Sequence, residues 1–170
     1  GAYNPVSYHN GSVWPHDNAI VAAGLMRYGY VEEAQRIALG LLDAAAALGD
    51  RLPELYSGFD RSEFSTPVPY PTSCDPQAWA AASSLYLLRT LLRFDPWVPA
   101  GRLSCDPAVP DVLLPLRIDG VHLAGSRVSI EVTHDGWDVH GLPPGISLDR
   151  EARAPITAVM THTSATQPGQ

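Results

Sequence analysis

Tyr8-His9-Asn10-Gly11-Ser12-Val13-Trp14-Pro15-His16-Asp17-Asn18, answered downstream by Leu52-Pro53-Glu54-Leu55-Tyr56-Ser57-Gly58, is the part of this sequence whose reading decides the fold. The first segment brings two imidazoles, a carboxylate, two amides and an indole to the mouth of a predicted helix. The second sets one carboxylate, Glu54, beside Tyr56 in a loop punctuated by Pro53 and Gly58. A flat aromatic surface flanked by fork-like donors and acceptors suits a sugar, whose ring offers an apolar face and a rim of hydroxyls.

Residues 1–14 read as an extended loop, because Asn4-Pro5 and Asn10-Gly11 are turn dipeptides. Pro15 then suits the first turn of a helix, with Ser12 as a cap upstream and Gly29 as terminator. Ile20, Ala23, Gly24 and Arg27 mark one side of that helix, and its small residues allow a close neighbour. A second, amphipathic helix follows from Val31, Ala34, Ala38, Leu41, Leu42, Ala45 and Leu48, with Glu32 and Glu33 in its first turn and Gly49 after its end. From Asp50 to Cys74 the period is lost, and the aromatics Tyr56, Phe59, Phe64 and Tyr70 favour an ordered loop. Asp75-Pro76 signals a third helix, which the apolar run carries to Arg93 before Pro96 and Pro99 stop it.

Beyond Pro99 the pattern changes. Leu116-Arg117-Ile118 and Val121-His122-Leu123 alternate, Ala124-Gly125-Ser126 turns, and Val128 to Val132 alternates back, which predicts a hairpin. A third strand is expected through Trp137 and Val139 after the Asp135-Gly136 turn. Polar and small residues over 143–170 predict an irregular, disordered tail. The expected class is therefore mostly α with a small β appendage, divided at 1–98, 99–142 and 143–170.

Composition narrows the function. The 170 residues are 45% hydrophobic with net charge -7, which fits a globular acidic protein without a basic nucleic-acid surface. All 11 basic residues are Arg, and they are scattered along the chain, so nothing in the sequence groups them into a phosphate site. Cys74 and Cys105 lack CxxC spacing and read as reduced cytosolic thiols. No apolar run is long enough to span a bilayer and no stretch reads as a signal peptide, so the expected location is cytoplasmic. The chain begins at Gly1 without Met and carries its main motif close by, which raises the expectation of a fragment or a processed product.

The two opening segments, together with Pro69-Tyr70-Pro71-Thr72-Ser73-Cys74-Asp75-Pro76-Gln77-Ala78-Trp79-Ala80, resemble in order and spacing the C-terminal part of amylo-alpha-1,6-glucosidase and other glycogen-debranching proteins. The resemblance covers roughly residues 3–132, since such proteins often finish on an alternating pattern like 116–132. It implies a partial (α/α)6 toroid of about three to four helices, followed by an antiparallel hairpin, with α-glucan bound in a central funnel. It further implies inverting hydrolysis, in which one carboxylic acid protonates the glycosidic oxygen. A second carboxylate activates water from ~6.5–9.5 Å away. Glu54 matches the general base, and the family's general acid lies in a motif upstream of Gly1. By this reading the 170 residues alone are not a competent hydrolase.

Tyr8, His9, Trp14, His16, Asp17, Gln77 and Trp79 are the expected sugar-binding residues around Glu54. Each has a plainer role to set beside that one: Glu54 as a solvated or capping carboxylate, Trp14 as a core filler, and Trp79 as ordinary packing. On spacing alone His9, His16 and Asp17 would suit a metal site, but nothing else in the sequence supplies a further ligand and His-Asp pairs frequently just satisfy backbone groups, so no metal is expected. Asp17 is a weaker candidate for the missing acid. Asp60, Arg61 and Glu63 read as surface charge, and His122, His134 and His140 are given no role. No cofactor is expected. A phosphorylase on the same scaffold would need a basic anion pocket where Glu54 stands. The alternative function is a catalytically incomplete remnant that binds carbohydrate, or packs against the missing N-terminal part of the barrel. Its mark would be exposed apolar helix surface.

Overall fold

A computed structural model describes residues 2–155. They hold three α-helices and eight strands in three sheets. The fold is thus mixed α/β, which overturns the expectation of a mostly α chain with a small β appendage and with it the partial (α/α)6 toroid. The extra strands are short. β1 (Tyr56–Ser57) and β2 (Val68–Pro69) arise inside the stretch read as a loop, and β3 (Asp95–Trp97) and β4 (Arg102–Ser104) where the prolines read as breaks. Strands of two or three residues are too brief to display a period of two. Pro69 and Pro96 sit on strands with one neighbour, where a missing N–H costs little.

The chain divides into two compact units, Gly1–Leu25 with Val31–Leu88, and Met26–Tyr30 with Arg89–Gln170. In the first, α1 (Pro15–Arg27) begins on the proline. Ser12 does not cap it, because the helix starts only at Pro15, and the Ser12 hydroxyl donates instead to the Ser7 carbonyl at 2.9 Å. Helix α2 (Val31–Ala47) buries Ala34, Ala38, Leu41 and Ala44 along one stripe, and Gly49 follows it at φ 76°. Helix α3 (Ala78–Leu91) starts later than Asp75-Pro76 suggests. Its cap is Gln77, whose side-chain oxygen accepts the Ala80 N–H at 3.1 Å. Ala44 of α2 and Ala80 of α3 leave room for Leu52 and Tyr56, which complete the core with Val13, Ala45 and Leu48.

The two opening segments meet in this unit. Val13 and Tyr56 exchange backbone hydrogen bonds at 2.8 and 3.0 Å, the Gly58 N–H donates to the Pro5 carbonyl at 2.9 Å, and the Tyr3 hydroxyl donates to the Gly58 carbonyl. Glycine is required twice here: a Cβ on Gly58 would strike the Gly11 carbonyl, and one on Gly11 would strike the Asn4 backbone.

The second unit holds two sheets. β4 lies between β3, antiparallel, and β8 (Ser147–Asp149), parallel, with Leu103 opposite Leu148. The tail expected over 143–170 therefore carries a strand in its described part, and 156–170 lie outside the described residues. β5 (Leu116–Leu123), β6 (Ser126–Thr133) and β7 (Gly136–His140) form an antiparallel meander. β6 buries Val128, Ile130 and Val132 on one face, and Ala124 and Gly125, both at positive φ, make the tight turn before it. Cys105 is fully buried, and desolvation pushes its thiol pKa up to about 12. Among the described residues no helix is long and apolar enough to cross a membrane.

Gly58→Ala should lower the unfolding free energy by about 1–3 kcal/mol in urea titration, since backbone rather than a flexible side chain meets the added methyl. Gly24→Ala, with open space around its position in α1, should leave stability equal or higher by up to ~1 kcal/mol. Equal effects at the two sites would contradict the close approach.

Candidate functional site

Glu54 is tied to two other segments. Its N–H donates to the Cys74 carbonyl at 3.0 Å, its Oε2 accepts the Cys74 N–H at 3.1 Å, and its Oε1 accepts the Tyr8 hydroxyl at 2.9 Å. Leu55 N–H donates to Ser73 Oγ at 3.2 Å beside it. The Leu52–Gly58 loop is thereby sewn to the 70s segment on one side and to the N-terminal loop on the other. The peptide N–H of Cys74, followed by the Tyr8 hydroxyl, holds the Glu54 carboxyl below its ordinary range. Donation to that carboxylate in turn raises the Tyr8 phenol, which stays protonated.

Tyr8 is the centre of an aromatic cluster. Its ring meets Trp14 edge-on at 4.6 Å, His9 at 4.7 Å and Tyr70 at 5.9 Å between centroids. The rings of Trp14 and His9 are parallel, 5.8 Å apart, and Trp14 Nε1 donates to the Tyr8 carbonyl at 3.0 Å. The indole is thus half-buried and committed to the protein along its polar edge. His16 stands 5.6 Å from Trp14 and 5.6 Å from Trp79. Its side chain is 14% exposed, and its Nδ1 is buried without a hydrogen-bond partner among the described residues.

The structure therefore brings Glu54, Tyr8, His9, Trp14, His16 and Trp79 into one connected group. Its open parts are Trp79, 64% exposed at the start of α3, and His9, exposed in the N-terminal loop. Asp17 lies at the edge, exposed, with Oδ1 3.8 Å from His16 Nε2. Gln77 uses its side-chain oxygen as the cap of α3. Tyr70 and the Cys74 backbone belong to the group and were missed in the sequence reading. Their signal was the Pro69–Ala80 motif itself, in which Tyr70 is the aromatic ring beside the prolines. Among the described residues no three His, Cys, Asp or Glu side chains are placed to hold a metal ion.

A separate cavity of about 300 Å³ is lined by Val13, Asn18, Tyr56, Phe59 and Phe64, with the Asp43–Arg61 ion pair also in its wall. Glu54, Tyr8 and Trp14 do not line it. Arg61, read in sequence as part of a surface charge cluster with Asp60 and Glu63, donates through both terminal nitrogens to Asp43 Oδ2 at 3.1 Å. Asp60 instead accepts the Ser62 N–H at 2.8 Å, a local turn bond.

Chemically, Glu54 is an ionised carboxylate that accepts from the Tyr8 hydroxyl on Oε1, from the Cys74 N–H on Oε2, and also from the Cys74 thiol. With about four lone-pair sites on the two oxygens, one acceptor position remains for a water or a hydroxyl. No protein-family model matches the sequence, and no curated protein matches it.

Because the folded pKa of Glu54 is depressed, its contribution to stability is complete above the ordinary value of 4.5 and is lost as pH falls through the lower folded value. Glu54→Gln should melt below wild type at pH 7, with the gap closing as pH drops below 4.5. A gap constant with pH would show that the charge of Glu54 is not what its partners stabilise.

Proposed function

We propose that this chain is the part of a glycoside hydrolase that binds α-linked glucan and supplies the general base, of the glycogen-debranching, α-1,6-glucosidase type with inversion. Glu54 is the base, and the acid comes from sequence outside residues 1–170 or, as a weaker alternative, from Asp17. The observation that carries this reading is the Glu54 carboxylate held ionised by the Tyr8 hydroxyl and the Cys74 N–H, at the foot of an aromatic cluster that opens at Trp79. In that arrangement the remaining acceptor position of Glu54 orients a water, and the exposed indole of Trp79 receives the apolar face of a glucose ring.

The low pKa sets a limit on the chemistry. A carboxylate that remains ionised at neutral pH is ready to accept a proton but is a weak base, so orientation of the water matters more than basicity. Tyr8 then has two tasks, donating to Oε1 and closing one side of the water site.

A second reading has its own support. Ile20 and Val21 of α1 and Trp79, Leu85 and Tyr86 of α3 are exposed, with Leu85 at 72%. Apolar surface of this kind fits a module that packs against a partner or binds carbohydrate without catalysis.

In a full-length polypeptide, Glu54→Gln should reduce hydrolysis of an α-1,6-linked oligosaccharide by about 10²–10⁴-fold with the fold intact. Calorimetry with isomaltose and maltose should give binding that Trp79→Ala weakens by about tenfold, equivalent to ~1.4 kcal/mol. Sugar binding without any activity lost in Glu54→Gln would leave the binding-module reading. No sugar binding in either protein would remove both carbohydrate readings.

A further inference from the structure

Three of the arginines that lie far apart in sequence meet at one carboxylate in the second unit. Arg27, in the last turn of α1, donates to Asp95 Oδ2 at 3.1 Å. Arg153, after β8, donates to the same oxygen at 3.1 Å, and Arg89, in the last turn of α3, donates to Oδ1 at 3.2 Å. Asp95 is largely buried beneath them, with its side chain 17% exposed. Arg89 also donates through Nε to the Phe94 carbonyl at 2.9 Å, and the Arg153 guanidinium lies over the Trp97 ring, 4.4 Å from its centroid. These contacts fix two of the three guanidinium planes.

The charges do not balance. Asp95 cancels one of three positive charges, and it is the one carboxylate within ion-pair distance of these arginines among the described residues. The nearby Arg93 is matched by its own partner, Asp106, at 2.6 Å. No Asp or Glu follows Glu151 in the sequence, so residues 156–170 bring no further carboxylate side chain. The C-terminal ends of α1 and α3 offset the cluster by about half a charge each, which leaves a surplus of roughly one positive charge. The hydrogen bonds do not balance either: Arg27 Nε is buried with no partner among the described residues.

We propose that Arg27, Arg89 and Arg153, converging on Asp95, form a binding site for a tetrahedral oxyanion, a phosphate or phosphomonoester group. Each guanidinium has five N–H donors in a planar fork, and only one or two per arginine are occupied by the bonds above. A phosphoryl group supplies three acceptor oxygens and about -1.5 to -2 of charge at pH 7, which suits both the surplus charge and the number of converging forks. A carboxylate would bring one charge and two acceptor oxygens. Asp95 keeps the forks in place in the absence of ligand and competes weakly for them in its presence.

The test is calorimetric titration of the full chain at low ionic strength with inorganic phosphate, glycerol phosphate and acetate in turn. Saturable phosphate binding is expected with Kd on the order of 1 mM. Arg153→Gln should weaken it about tenfold through loss of a charge-assisted hydrogen bond, while Arg102→Gln, outside the cluster, should leave it unchanged. Asp95→Asn, if folded by circular dichroism, should tighten binding, and if it unfolds the Arg153→Gln arm decides alone. Binding of glycerol phosphate as tightly as inorganic phosphate would identify an esterified ligand, and preference for inorganic phosphate the free ion. Absence of saturable phosphate binding, equal affinity for acetate, or indifference to Arg153→Gln would overturn the proposal.

Discussion

The first unit depends on the reciprocal backbone pair between Val13 and Tyr56. This two-residue bridge joins the N-terminal loop to the Leu52–Gly58 loop, and Gly11 and Gly58 let the backbones approach more closely than any side chain would permit. With the bridge in place Tyr8 arrives at Glu54, and Trp14 and His16 follow because α1 begins immediately after it. Tyr56, the other half of the pair, is buried against Ala44 and Ala80, and desolvation raises its phenol pKa to about 12. The alanine-rich faces of α2 and α3 thus do more than allow close packing: they make the pocket for the tyrosine that anchors the bridge.

Glu54 is asked to serve two ends. Its bonds to Cys74 and Tyr8 are structural ties across the loop, and the same bonds keep it ionised and aimed. Strong ties lower its basicity, whereas loose ones would cost it its orientation. The arrangement has settled for a firmly oriented carboxylate with one acceptor position left open. Trp14 shows a similar division, since its indole N–H is already given to the Tyr8 carbonyl. What remains for a ligand is the cluster's outer surface, where Trp79 and His9 are exposed.

How much of this was legible in the sequence depended on the range of the interaction. Helix α2 was plain, because its buried Ala34, Ala38, Leu41 and Ala44 repeat at the period of the helix itself. The alternating stretch of β5 and β6 was plain for the same reason at a period of two. The short strands around Pro69 and Pro96 were not, and their omission made the chain look more helical than it is. The start of α3 was misplaced because Asp75-Pro76 is the stronger local signal, while Gln77 supplies the cap. The grouping of Tyr8, Trp14 and Glu54 followed from motif spacing, but the Cys74 N–H did not, since a backbone donor leaves no mark in the sequence. The arginines at Asp95 were read as scattered, because positions 27, 89 and 153 become neighbours only once the chain has folded.

The two cysteines occupy chemically unequal places. Cys105 is sealed in the second unit, its thiol donating to the Leu92 carbonyl at 3.5 Å and too weak an acid to form thiolate near neutrality. Cys74 is exposed, and its own peptide group clasps Glu54 on both sides. A thiol-directed fluorophore or spin label therefore has one address in the native protein, a residue whose backbone touches the carboxylate of interest. The chain carries its own attachment point for an optical or magnetic reporter, with no residue needing to be introduced.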